Sequence, residues 1–192
     1  MHPFRQFIQN YTTLTPADWA LIESCLSQKE YNPNDLILEE GKVCSKIYFL
    51  ESGLLRYFTW NDGIDMTKFF TQPPYCFTSQ RSYNLQIPSA ESIEVLEKSI
   101  VWEIARIDAE RLFKLASWST FVRKLIQEVQ FFTQEIMEAL QSQTAEQRYR
   151  QMLHNNDPLL QKVPLKHLAS YLGIAPQSLS RIRKKMLVEF RT

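Results

Sequence analysis

The stretch Val163–Lys185, VPLKHLASYLGIAPQSLSRIRKK, sets two short helical patterns on either side of one glycine and ends with four bases in five residues. Leu165, Leu168, Ala169 and Leu172 recur at i, i+3, i+4 and i+7, one buried stripe on a two-turn helix. Gly173 suits the left-handed conformation that ends a helix and lets the chain turn sharply, and Ile174 is an apolar plug for that corner. Pro176 fits the first turn of a second helix, where its missing N–H costs nothing. In that helix Leu179, Ile182 and Met186 point inward, while Gln177, Ser178, Ser180, Arg181, Lys184 and Lys185 take the outer faces. The pattern predicts a helix-turn-helix whose second helix carries the positive charge.

Such an arrangement suits double-stranded DNA. A helix fits the major groove, its N-terminal residues meet base edges, and bases beside it neutralise phosphates. Gln177 matches adenine and Arg181 guanine, each by a bidentate pair. Ser178, Arg183, Lys184 and Lys185 suit phosphate oxygens, which fix register without reading sequence. A basic run alone would indicate a solvated helix face. The corner, the two stripes and the proline start together point to DNA.

Charge distribution agrees. From Lys162 onward, seven bases (Lys162, Lys166, Arg181, Arg183, Lys184, Lys185, Arg191) stand against Glu189, so this end carries +6. The whole 192-residue chain is only +1, which leaves −5 for the rest. Such asymmetry marks a basic module that meets nucleic acid or an anionic surface. Cys25, Cys44 and Cys76 are dispersed, with no CxxC pair, as expected of reduced thiols in a cytoplasmic protein. Cys44 and Cys76 read as small fillers of an apolar interior. The opening MHPFRQFIQNY lacks a long apolar run, so no secretory leader is expected, and no segment nears the length of a membrane span.

Ahead of the basic module the character changes twice. LTPADWALIESCL reads as a helix capped by Thr15 with Pro16 in its first turn. From about Tyr31 to Ile107, short runs of β-branched and aromatic residues (DLILEE, KIYFL, LLRYFTW, MTKFFTQ, SIEVLE, SIVWEIA) alternate with turn signals. Gly41, Gly53 and Gly63 lie between them, and Asp62-Gly63 is a hairpin turn by composition. Strands at this spacing predict a sandwich or barrel. Asp108 is placed to cap a short helix. A longer one follows from about Ser119 to Gln143, in which Val122, Leu125, Val129, Phe132, Ile136 and Ala139 form an a/d seam of a parallel homodimer. Phe121, Ile126, Phe131 and Leu140 widen its apolar surface enough to pack on the barrel as well. Thr144 and Gln147 stand in capping-box register for the next helix.

VPLKHLASYLGIAPQSLSRIRKK resembles the C-terminal helix-turn-helix of the cAMP receptor protein/fumarate-nitrate regulator (Crp/Fnr) family, closest to its branch with short C-termini. YNPNDLILEEGKVCSKIYFLESGLLRYF is similar to that family's opening barrel strands, with Gly41 and Gly53 at its turn glycines. The resemblance implies an α+β chain: cap helix and jelly-roll, cyclic-nucleotide-binding-like barrel over 1–117, dimerisation helix over 118–143, DNA-binding helix-turn-helix over 144–192. It places Pro176, Gln177 and Arg181 at the base-contacting positions, where the family often has Arg-Glu at the first two. Few residues follow Met186, too few for the family's wing hairpin, and Arg183, Lys184, Lys185 and Arg191 are the candidates to replace its backbone contacts. The family's cyclic-nucleotide binders hold the ribose with Gly-Glu and the phosphate with Arg-Ser or Arg-Thr. Here the first segment has Thr78 and Ser79 without Gly-Glu, and the second has Pro88 ahead of Ser89. Without a guanidinium a buried phosphate lacks its counter-charge, and Arg81 is the remaining base nearby. The expectation is a degenerate site that does not bind cAMP, with no cofactor and an effector, if any, of another kind.

Other classes fit less well. A metal-dependent cupin needs imidazoles inside its barrel, but His2, His154 and His167 all lie outside the strand region, and His167 reads as a helix-surface residue. No HExxH, phosphate-binding glycine run or ordered Ser/His/Asp set occurs, so no catalytic residues are expected. Three scattered thiols cannot form a four-cysteine iron–sulfur cage. A ligand sensor or protein-interaction module without sequence-specific DNA binding is the alternative to a regulator.

Overall fold

The computed structural model describes residues 1–155 and 157–189, so Arg191 lies outside the described residues. The chain divides into two units, Met1–Phe58 with Phe70–Phe131, and Thr59–Phe69 with Phe132–Thr192.

The first unit opens with helices α1 (Pro3–Gln9) and α2 (Pro16–Glu23). As the sequence predicts, Pro16 occupies the first turn of α2 and the Thr15 hydroxyl accepts the Asp18 N–H at 3.0 Å. Helix α1 has no counterpart among the expectations above, although its buried Phe4, Phe7 and Ile8 recur at i, i+3 and i+4 behind a first-turn proline, a stripe present in the sequence. Strands β1 (Ser27–Tyr31), β2 (Leu36–Leu38), β3 (Lys46–Asn61), β4 (Ile64–Thr71), β5 (Tyr75–Phe77) and β6 (Ser92–Ala105) form one sheet. Its main path is β1-β6-β3-β4, with β2 paired to β6 and β5 to β3. The pairings of β6 with β1, β2 and β3, and of β3 with β5, are antiparallel.

KIYFL and LLRYFTW, two runs in the sequence, are one 16-residue strand, and SIEVLE and SIVWEIA are likewise a single strand. Gly53 makes this continuity possible. Its φ is +106°, and the register between β3 and β6 shifts on either side of it. The bulge bends the strand without breaking it. At the far end of β3, Asp62 (φ 50°) and Gly63 (φ 76°) make the predicted hairpin turn, with two consecutive positive φ values.

One face of the sheet packs on helices. Phe49 and Ile104 meet Phe4, Phe7, Trp19 and Trp118 in a single apolar cluster that also takes Cys76. Each of these larger side chains contributes about 1.5–3 kcal/mol by leaving water. Between β5 and β6 lies α3 (Gln80–Leu85). After β6, α4 (Arg106–Leu112) starts three residues earlier than Asp108 as N-cap would dictate. Ala105 is its N-cap, and Asp108 falls in the first turn, where a carboxylate favours the helix dipole. The long helix α5 (Ala116–Ser142) also begins ahead of the predicted start. Trp118 and Phe121 at its N-terminal end are buried in the cluster.

The second unit contains the tip of the β3–β4 hairpin, the end of α5, and helices α6 (Ala145–His154), α7 (Leu159–Lys162), α8 (Leu165–Tyr171) and α9 (Pro176–Glu189). The capping box at α6 forms as predicted: Gln147 N–H donates to the Thr144 hydroxyl, and Thr144 N–H to Gln147 Oε1. Leu168, Ala169, Leu172, Leu179 and Met186 are buried, so the inner stripes of both α8 and α9 face a core. His167 is buried too, against its expected surface position, because it lies beside the stripe rather than opposite it. Among the described residues, no helix is long and apolar enough to cross a membrane, and no group of three or more His, Cys, Asp or Glu is placed to hold a metal ion.

Candidate nucleic-acid interface

Helices α8 and α9 meet at Gly173, whose φ is +72°. Gly173 N–H donates to the Ser170 carbonyl and Ile174 N–H to the Ala169 carbonyl, both at 3.0 Å. These two bonds are the Schellman closure of a helix end, so α8 stops where the glycine predicts. Ala175 then accepts from Ser178 and Leu179 N–H, and α9 begins at Pro176.

Around α9 the singled-out side chains separate by face. Pro176, Gln177, Arg181, Lys184 and Lys185 are exposed, Ser178, Ser180 and Arg183 are half-buried, and Leu179 and Met186 lie beneath. Two of the bases are engaged by α6. Arg183 Nε donates to the Tyr149 hydroxyl at 3.1 Å, and its guanidinium lies 5.7 Å from the Tyr149 ring centre. Lys185 Nζ meets Glu146 Oε1 at 2.7 Å, a hydrogen bond that holds the Glu146 carboxyl below the usual range. Arg181 and Lys184 are thus the outer cations of α9, with Arg183 turned toward its own unit.

Two neighbours that the sequence did not suggest fix α8. Arg148 of α6 donates from Nη2 to the Leu172 carbonyl at 2.7 Å. The Ser170 hydroxyl accepts Thr67 N–H at 2.8 Å and donates to the Asp65 carbonyl at 3.2 Å, tying the hairpin tip to the helix. Neither partner shares a periodicity with α8, so no sequence signal marks them.

Along α5 the seam residues divide. Val122 and Leu125 pack against the first unit's core. Val129, Ile136 and Ala139 are half-buried, and Phe132 is 50% exposed. Ile126, Phe131, Met137 and Leu140 add further exposed apolar surface, Leu140 at 54%.

In the first unit, the two segments that the family resemblance pairs do converge. The hydroxyls of Ser79 and Ser89, both buried, lie 3.1 Å apart. Ser79 donates to Glu91 Oε1 at 3.1 Å, and Ser89 to the Glu91 carbonyl at 2.7 Å. Thr78 Oγ1 donates to the Lys46 carbonyl. Arg81, on α3, and Pro88 are exposed, and Pro88 forms an isolated bridge with Val43. Nearby, Tyr48 stacks on Phe77 with ring centres 5.0 Å apart, and Tyr57 meets Phe77 edge-on. Ser79 therefore meets a carboxylate of its own chain, and Ser89 the backbone of that same residue.

Residues 28–115 match the cyclic nucleotide-binding domain family. This domain comprises most of the sheet, α3 and α4, and the Ser79–Ser89–Glu91 cluster lies inside it. Solved structures that share the wider fold include a regulator of the Crp/Fnr family. This transcriptional regulator from Eubacterium rectale, described as putative, gives TM-score 0.72 at 18% identity, covering 92% of this chain and 85% of that one. FixK2 from Bradyrhizobium japonicum gives TM-score 0.69 at 16% identity, covering 85% of each chain. CLP, the c-di-GMP-responsive global regulator of Xanthomonas campestris, gives 0.69 at 13% identity, covering 91% and 93%. At these identities the likeness establishes a common fold. The matched family is by its description a binding domain. No curated protein matches the chain in sequence.

Proposed function

We propose that the chain is a cytoplasmic transcription regulator of the Crp/Fnr type that acts as a homodimer on a near-palindromic DNA operator. The observation that carries this reading is the division of α9: an inner stripe buried at Leu179 and Met186, and an outer side presenting Gln177, Arg181 and Lys184. A helix-turn-helix uses such a surface in the major groove. Gln177 and Arg181 read base edges, and Ser178, Lys184 and Lys185 meet phosphates. A phosphate competes readily for Lys185, because its bond to Glu146 is exposed and such pairs are worth little. The exposed apolar residues of α5 meet the same helix of a second copy, which sets the two readers about one duplex turn, roughly 34 Å, apart.

The cyclic nucleotide-binding domain does not serve cAMP in this reading. Where the resemblance asks for an arginine there is Pro88; the Ser79 hydroxyl faces the Glu91 carboxylate and the Ser89 hydroxyl the Glu91 backbone carbonyl. A cyclic phosphate would meet a like charge beside Ser79 and no arginine at Pro88, while the buried Arg56 is held by the Glu94 carboxylate. An effector of other chemistry, acting through its preference for one arrangement of the readers, is compatible with the fold.

The test is duplex selection from a random pool, with and without metabolite extract, followed by two variants. Arg181→Ala should lose about 1–3 kcal/mol on the selected duplex and relax the preference at one position. Lys184→Ala should weaken selected and scrambled duplexes alike. Identical behaviour of the two variants across sequences would contradict the assigned roles.

A further inference from the structure

The corner at Gly173 decides the direction in which α9 leaves α8, and with it where Gln177 and Arg181 point. The two bonds of the Schellman closure satisfy the carbonyls of Ala169 and Ser170. The carbonyl of Leu172, the last residue before the corner, receives the Arg148 guanidinium at 2.7 Å. Carbonyls at a helix end carry partial negative charge, so a cation is well matched there.

This contact has a cost. Arg148 Nε is buried without a hydrogen-bond partner, and an unsatisfied buried donor opposes folding. A guanidinium supplies what an apolar group cannot, a directional bond to one backbone atom. The next residue, Tyr149, holds Arg183 on α9. Adjacent positions of α6 thus grip the corner and the helix that follows it.

We propose that Arg148 is a positioning residue for DNA reading: its bond to the Leu172 carbonyl fixes the corner that aims Gln177 and Arg181 at base edges. The proposal rests on the DNA-reading function proposed above. The full chain, Arg148→Met and Arg148→Lys are compared by fluorescence anisotropy on a wild-type-selected duplex and a scrambled one, across a salt series. Melting curves and the ¹³C shift of the Leu172 carbonyl accompany them. The methionine variant should keep the salt slope, since no phosphate-facing base is removed. Its preference for the selected duplex should fall about tenfold per half-site, the scale of one aligned base contact. The lysine variant, which retains a cationic donor, should recover most of that preference.

A folded methionine variant with undiminished preference overturns the proposal. So does a salt slope reduced by about 0.9 per half-site with preference intact, which would make Arg148 a phosphate ligand. If the methionine variant does not fold, the lysine variant decides through the carbonyl shift. Preference that follows the Leu172 bond, kept together or lost together, supports the proposal; preference that departs from it overturns it. If the wild-type chain prefers no duplex, the DNA reading itself fails and takes this inference with it.

Discussion

Gly53 is the position where one atom matters most. A Cβ added there would lie 2.0 Å from Ser99 Oγ and 2.7 Å from Ser99 Cα, and the backbone already has a positive φ. Gly53→Ala should therefore cost about 3–5 kcal/mol or abolish folding, from strain and overlap together. A urea midpoint equal to wild type would contradict the bulge geometry. The sequence marked Gly53 as a turn glycine but not as a close approach, because Ser99 is remote in sequence and joins it only through strand pairing. Cys76 was legible as an interior filler, and burial pushes its thiol up to about 12 from an ordinary 9. Its contribution to stability is fully present below pH 9 and is lost as the pH rises toward 12, because only the unfolded thiol ionises there. The unfolding free energy should fall with pH in that window more steeply in wild type than in Cys76→Ala, by at most about 1.4 kcal/mol per pH unit. Equal slopes would mean that the thiol is accessible to water in the folded state.

Among the elements, those built on local chemistry were readable. Proline at a first turn, glycine in the left-handed region, a capping box and a heptad all act within a few residues, and α2, α5, α6, α8 and α9 follow them. Strand β1 escaped notice because four of its five residues are exposed and polar, and α3 because its six residues bury only Ser82. On α5 the heptad gave the stripe but not its allotment. A 3.5-residue period cannot tell a helix's own core from a second copy, and Val122 and Leu125 turn to the apolar cluster that holds Trp118 and Phe121. The surface left outward makes the dimer testable without disturbing the core. Phe132→Glu combined with Leu140→Glu, both at exposed positions, should convert dimers to folded monomers in sedimentation equilibrium. A dimer that survives both charges would place the association elsewhere.

Across the whole molecule, the order of parts was visible because each stretch carries its own signal: β-branched and aromatic runs between turn residues for the sheet, a three-to-four period for the helices. What joins distant stretches was not. Nothing local assigns the hairpin Thr59–Phe69 to the C-terminal unit, and its bonds to Ser170 link residues that share no pattern. The candidate ligand segment shows the same limit. The missing arginine at Pro88 could be read directly, whereas the Glu91 carboxylate beside Ser79 depends on how two loops meet.

The central claim is that α9 enters a duplex, twice per assembly and on one side of it. Hydroxyl-radical footprinting of the wild-type chain on its selected duplex measures this directly. The account predicts two protected patches on the same face, about one helical turn or 10 base pairs apart, with Arg181→Ala protecting neither at the same concentration. A single patch, patches on opposite faces, or protection unchanged in that variant would contradict it.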